Sequence, residues 1–107
     1  SGTITSQNYP ENYPLNSKCS YGITVPDGMI IKLTFTDFEV EMEANCNFDS
    51  VTVHDNDDIY GTFCGTIVPS SIYTKQNRVG IILTSDGYAT RKGFSLDFLA
   101  VAGKVER

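Results

Sequence analysis

Apolar and polar positions alternate along much of this chain. Met29, Ile31, Leu33 and Phe35 interleave with Ile30, Lys32 and Thr34. Val51 and Val53 alternate with Thr52 and His54, and Phe94, Leu96 and Phe98 with Ser95, Asp97 and Leu99. Side chains two apart on an extended backbone share a face, so each run predicts a strand with one face on a core. Residues 79–83 (V-G-I-I-L) are nearly continuous in apolar character, which predicts a central strand of a packed sheet. Gly80 inside that run predicts close packing or a bend. Turn formers separate the runs: Pro10, Pro14, Pro26-Asp27-Gly28, residues 56–58, Gly65, Pro69, Asp86-Gly87 and Gly93. Their spacing of roughly eight to twelve residues is that of a β-sandwich or barrel. No eleven-residue window carries a helical stripe, and residues 70–76 have room for one helical turn. The pattern predicts an all-β domain of roughly eight strands.

The two ends break the pattern. Residues 3–14 are polar and rich in Asn, Tyr and Pro, with Tyr9 and Tyr13 each followed by Pro. A following proline disfavours helix, so this stretch is expected to be a stiff, extended edge segment. From Ala102 to Arg107 the alternation stops, and the chain is expected to fray or lead into a following segment.

With 107 residues, a single domain spanning 1–107 is expected, with no linker. Such a length buries about 65% of its unfolded surface, a modest core that a cross-link would help. A chain 40% hydrophobic and 20% charged is neither disordered nor fibrous. A net charge of -5 excludes nucleic acid as the default partner. No stretch approaches eighteen apolar residues, so no transmembrane segment is expected. No basic-then-apolar leader stands at Ser1, and any signal peptide is expected to have been removed already.

The charges are unevenly placed. Eight of the 13 acidic residues lie between positions 37 and 58: Asp37, Glu39, Glu41, Glu43, Asp49, Asp55, Asp57 and Asp58. No Lys or Arg occurs between Lys32 and Lys75. Glu39, Glu41 and Glu43 would share a face if that stretch were extended, and with Asp49 they would make a hard-cation site. A solvated acidic edge that discourages strand pairing accounts for the same composition equally well. Residues 55–61 (D-N-D-D-I-Y-G) do not fit an EF-hand loop, because Tyr60 and Thr66 stand where Gly and Glu are required. They read instead as a hairpin turn with local Asp and Asn backbone bonds. His54 reads as a strand-surface residue. No G-x-S-x-G elbow or phosphate loop is present, and no catalytic residues are assigned.

Three cysteines, Cys19, Cys46 and Cys64, leave one unmatched. A bridge between Cys46 and Cys64 would close a loop; three reduced thiols is the competing reading. Zinc is weaker, since His54 and the dispersed cysteines lack ligand spacing.

The order of several short pieces resembles the CUB domain family. They are residues 2–14 (G-T-I-T-S-Q-N-Y-P-E-N-Y-P), 19–23 (C-S-Y-G-I) with Tyr21 at a tryptophan position, and the strand at 31–38. They continue with 46–53 (C-N-F-D-S-V-T-V), where Phe48 replaces tyrosine, then 63–65 (F-C-G), 83–86 (L-T-S-D) and Gly93-Phe94. The resemblance covers about residues 2 to 100. It implies a compact two-sheet antiparallel sandwich of jelly-roll type. It also implies a place in a larger modular extracellular protein, secreted or at the outer cell surface. Complement-type and astacin-like proteases are among the proteins that carry such modules. The family pairing implies a Cys46–Cys64 disulfide and leaves Cys19 free or paired outside the chain.

One branch of the family binds calcium, and its positions are intact here. Glu41, Asp49 and Asp86 match the ligands, and Tyr13 matches the tyrosine that orients them. Backbone oxygens of Tyr88 and Ala89, the latter directly or through water, would complete the shell. The resemblance thus implies Ca2+ as cofactor and a non-catalytic, calcium-dependent protein-recognition module. Glu41, Asp49, Asp86 and Tyr13 would receive a Lys or Arg of an extracellular protein ligand. Two alternatives stay open. One is a structural or self-associating module in which calcium only stabilises. The other is a spermadhesin-like carbohydrate binder using Tyr9, Tyr13, Tyr60 and Tyr88.

Overall fold

The computed structural model of the chain describes residues 1–56 and 58–103. Among these, eight strands form: β1 (Gly2–Thr5), β2 (Lys18–Thr24), β3 (Met29–Glu39), β4 (Ser50–His54), β5 (Ile59–Phe63), β6 (Ile72–Tyr73), β7 (Arg78–Thr84) and β8 (Gly93–Ala102). They make two four-stranded sheets, ordered β1-β8-β3-β6 and β2-β7-β4-β5. Every pairing is antiparallel. The all-β, two-sheet sandwich expected from the sequence is the fold.

The alternating runs supply the interior. Ile31, Leu33 and Phe35 from β3 meet Val51 and Val53 from β4, Val79, Ile81 and Leu83 from β7, and Phe94 and Leu96 from β8. Each fully buried side chain of this size contributes about 1.5–3 kcal/mol. Phe35 stands edge-on to Phe38, Phe63 and Phe94, so one ring links three elements. β7 is central, between β2 and β4. Gly80 answers to close packing: a Cβ there would lie 2.7 Å from His54 Nε2.

The structure departs from the sequence expectation at three places. First, β3 shifts register against β8 between Phe35 and Asp37. The extra residue resets the alternation, so Phe38 and Val40 turn inward along with Phe35. Second, residues 70–76 hold no helical turn. Ile72 and Tyr73 pair with Leu33 and Lys32, because the free edge of β3 offers backbone partners that a lone turn lacks. The Thr74 hydroxyl closes that edge by accepting the Ile31 amide at 2.9 Å. Third, only Gly2–Thr5 of the N-terminal stretch is an edge strand. The rest folds across one end of the sandwich through turns, with Asn8 and Asn16 at positive φ and a cis Tyr9–Pro10 bond. Burial of the Tyr13 ring outweighs the extended preference of the Tyr-Pro pairs.

β8 runs through Ala102, beyond where the pattern predicts the strand to stop. The remainder of the predicted fraying segment lies outside the described residues. The turn at 55–58 forms as expected: the Asp55 amide donates to the Asp58 carbonyl, and the Asp58 amide to Asp55 Oδ1. Asp57 is outside the described residues.

The register decides where the loops gather. Ser50 at the start of β4 and Lys18 at the start of β2 both pair with Thr84 at the end of β7. Gly93 at the start of β8 pairs with Glu39 at the end of β3. Residues 6–17, 40–49 and 85–92 therefore crowd one end of the sandwich. A disulfide joins Cys46 to Cys64, 18 residues apart, and Val40 bridges Gly65 beside it. Closing a loop of that length restrains the unfolded chain by about 3 kcal/mol. Cys19 is not bridged; its thiol donates to the Gln7 side-chain oxygen at 3.3 Å.

Candidate metal centre

Two loops deliver three carboxylates to this end: residues 40–49 supply Glu41 and Asp49, and residues 85–92 supply Asp86. Glu41 lies two residues beyond β3, directly after the Val40 bridge, Asp49 immediately precedes β4, and Asp86 lies two residues beyond β7. One oxygen from each falls within 4.8 Å of the others. Asp49 is fully buried, whereas Glu41 and Asp86 are partly exposed.

Tyr13 fixes the geometry. Its ring is 1% exposed, and its hydroxyl donates to Asp49 Oδ2 at 2.6 Å while accepting the Glu41 amide at 3.1 Å. The other Asp49 oxygen accepts the Asp86 amide at 2.9 Å. One buried carboxylate thus holds residues 6–17, 40–49 and 85–92 in register. Burial raises the Tyr13 hydroxyl above the ordinary tyrosine range, and its bond to Asp49 raises it further, so it stays a donor.

The carboxyl groups of Glu41 and Asp49 are held above their ordinary range. For Glu41 the main cause is burial, followed by the negative charges of Asp49 and Asp86, with Arg91 opposing. For Asp49 burial again leads; the bonds from Tyr13 and the Asp86 amide oppose it, and Asp86's charge adds to it. Glu41 Oε1 is buried with no hydrogen-bond partner. A buried carboxylate oxygen left unpaired is costly, and a cation at this point would remove the cost. The donor set is all oxygen, which suits a hard ion such as Ca2+ and gives no preference to Zn2+.

The remaining expected residues fall out as follows. The Tyr88 amide donates to Asp86 Oδ1 at 3.1 Å, and Ala89 continues the same loop. Glu39 and Glu43 do not join the three carboxylates. β3 ends at Glu39, and Glu43 Oε1 is occupied by the amides of Asn45 and Asn47, both at 2.9 Å. Asp55 and Asp58 sit at the opposite end of β4, in the hairpin. The four tyrosines do not form one platform: Tyr13 is buried, the Tyr60 hydroxyl is tied to Asp55 in the hairpin, and Tyr88 is exposed at the carboxylate end.

Supporting contacts escaped the sequence reading. Ser85 Oγ donates to the Pro14 carbonyl at 2.6 Å and accepts the Ser17 amide at 3.0 Å. The Asn16 amide donates to the Asp86 carbonyl, and Asn12 Nδ2 to the Thr90 carbonyl. These bonds clamp the 85–92 loop to residues 12–17. Ser85 lies inside the L-T-S-D piece, but no sequence rule distinguishes a clamping serine from a solvated one.

The CUB domain sequence profile matches residues 1–98. The chain belongs to the CUB domain family. This CUB domain is 40% identical over 102 residues to Protein SpAN of Strongylocentrotus purpuratus, covering 94% of the chain and 17% of that protein. It is 38% identical over 112 residues to Procollagen C-endopeptidase enhancer 2 of Mus musculus, covering the whole chain and 27% of that protein. The chain thus spans well under a third of either relative. Its fold superposes on the MASP-1 CUB2 domain bound to Ca2+ with a TM-score of 0.85 and 34% identity, covering 91% of this chain and 89% of that one. CUB domains are non-catalytic modules of extracellular proteins that mediate protein–protein interaction. No helix among the described residues is long and apolar enough to cross a membrane.

Proposed function

We propose that this CUB domain is a calcium-dependent protein-recognition module. Glu41, Asp49 and Asp86, oriented by Tyr13, hold one Ca2+, with backbone oxygens of Tyr88 and Ala89 completing the shell. Calcium supplies the positive charge that lets the three carboxylates stay together ionised. Carboxylate oxygens not spent on the metal then accept the ammonium or guanidinium of a Lys or Arg from a partner protein. A charge pair sheltered at an interface centre counts for far more than one at its rim.

The observation that carries this reading is the convergence itself. Groups at positions 41, 49 and 86 meet within 4.8 Å, and a buried Glu41 oxygen among them lacks a partner. The Ca2+-bound MASP-1 CUB2 neighbour supports the choice of ion. The disulfide supports an oxidising, extracellular setting, secreted or at the cell surface.

Isothermal titration tests the ion. The chain is expected to take up one calcium, and Glu41→Gln or Asp86→Asn to weaken uptake at least about tenfold. Asp58→Asn, in the distant hairpin, is expected to leave it within about twofold. Equal calcium affinity in all four proteins would contradict the assignment.

A further inference from the structure

The chain holds two Asp-Gly pairs, Asp27-Gly28 and Asp86-Gly87, and no Asn-Gly pair. In such a pair the amide nitrogen after the carboxyl belongs to a residue without a Cβ, so it can close on the side-chain carbon unhindered. The structure treats the two pairs differently. Asp27 Oδ1 accepts Asn77 Nδ2 at 3.1 Å, which ties that carboxyl to another loop. Its backbone is closed into a turn by the Met29 amide on the Pro26 carbonyl at 3.1 Å, and the Gly28 carbonyl accepts the Gly103 amide at 3.1 Å. Asp86 is held otherwise. Its Oδ1 accepts the amide of Tyr88, two residues ahead, at 3.1 Å, which folds the carboxyl forward over the Gly87 peptide. The Gly87 amide has no hydrogen-bond partner among the described residues, and Gly87 and Tyr88 are both exposed.

We propose that Asp86-Gly87 is a site of covalent self-modification: it converts to isoaspartate, and the conversion disables the carboxylate centre. The Gly87 nitrogen attacks Cγ of the neutral Asp86 carboxyl group. A Cγ–N bond forms, the Cγ–OH bond breaks, and the hydroxyl leaves with the amide proton as water. Water then adds to the former main-chain carbonyl carbon of Asp86 and breaks its bond to the Gly87 nitrogen. Nothing is oxidised or reduced, and mass is unchanged. The main chain afterwards runs through Cβ and Cγ, one carbon longer, and the carboxylate hangs directly from Cα. Two features of the centre are lost together. The carboxylate that met Glu41 and Asp49 within 4.8 Å is withdrawn, and the Asp86 carbonyl that accepted the Asn16 amide becomes part of the new carboxylate. The link to calcium rests on the reading proposed above. A carboxylate that holds a cation stays ionised and is not the neutral acid that the nitrogen attacks. Calcium therefore shields Asp86 and has no hold on Asp27.

The test ages the chain for days in warm neutral buffer, in EDTA or in millimolar calcium. Trypsin then separates residues 79–91 from 19–32, and isoaspartate in each is measured by enzymatic methyl transfer and electron-transfer fragmentation. In EDTA, isoaspartate is expected to build up at 86 at least about threefold faster than at 27, because the loop at 86 is less tied down. Calcium is expected to slow position 86 at least about threefold and to leave 27 unchanged. Calcium uptake per chain, titrated after ageing, is expected to fall in step with isoaspartate at 86. A Cβ at 87 would meet only the flexible Asn16 side chain, at 3.1 Å, so Gly87→Ala is a tolerated control. It is expected to keep the fresh chain's calcium affinity, which also reports its folding, and to cut isoaspartate at 86 at least about tenfold. Formation at 86 no faster than at 27, an undiminished rate in Gly87→Ala, a rate at 86 unmoved by bound calcium, or full calcium uptake by chains carrying isoaspartate would overturn the proposal. A fresh chain that takes up no calcium would overturn the calcium reading beneath it, whereas isoaspartate gathered at 86 in EDTA would sustain the modification by itself.

Discussion

At the scale of the residue, Tyr13 shows how little material organises the centre. One buried hydroxyl serves Asp49 and the Glu41 amide together. Tyr13→Phe keeps the ring and removes that link, leaving Asp49 Oδ2 short of a donor. The expected result is a loss of about 1–3 kcal/mol in urea unfolding and a fall in calcium affinity of about tenfold. The sequence pointed to Tyr13 only through family resemblance. Its own neighbourhood, Asn-Tyr-Pro, read as a stiff, extended edge segment, because nothing local records that a distant loop will cover it. Asp37 offers a second residue-scale test. The Tyr9 hydroxyl, and after it the Lys92 ammonium at 3.0 Å, hold its carboxyl below the ordinary carboxylate range. Its folded pKa therefore lies below its unfolded one. The stability it contributes is present above pH of about 4 and is lost as pH falls through the folded value. Thermal melts in EDTA should show wild type above Asp37→Asn at neutral pH, with the gap closing on acidification; a constant gap would contradict the assignment.

At the scale of the element, alternation made β3, β4, β7 and β8 legible, because their inward positions are Val, Ile, Leu and Phe and their outward ones largely polar. Two features were not legible. A bulge adds one residue without changing composition, so the shift after Phe35 is invisible until β3 is laid against β8. The two-residue strand β6 is too short for any period to show. Gly93 is the element-scale joint that matters to the site. Its φ is +90°, and a Cβ there would fall 1.9 Å from Ser6 Oγ and 3.3 Å from the Tyr13 ring. Ser6 Oγ accepts the Phe94 amide at 3.0 Å, so this glycine lets β8 start against the N-terminal loop. Gly93→Ala is expected to cost about 2 kcal/mol or more in denaturant unfolding, since left-handed backbone strain and a buried clash add. An unchanged midpoint would show that Ser6 and Tyr13 yield freely.

At the scale of the whole molecule, the centre exists because the topology returns the chain to one end three times. Asp49 and Asp86 are 37 positions apart, and only the pairing of Ser50 with Thr84 sets them side by side. Composition showed an acidic region between 37 and 58 but could not choose among its members. The fold separates them: Glu41 and Asp49 converge, Glu43 caps its own loop, and Asp55 and Asp58 go to the far hairpin. The most direct test is a calcium titration of the chelator-treated, 15N-labelled chain followed by amide NMR. The account predicts saturable shifts centred on Glu41, Asp49, Asp86 and Tyr88, with Asp58 and His54 at the other end unmoved. Saturable shifts centred on the hairpin, or none at millimolar calcium, would contradict it.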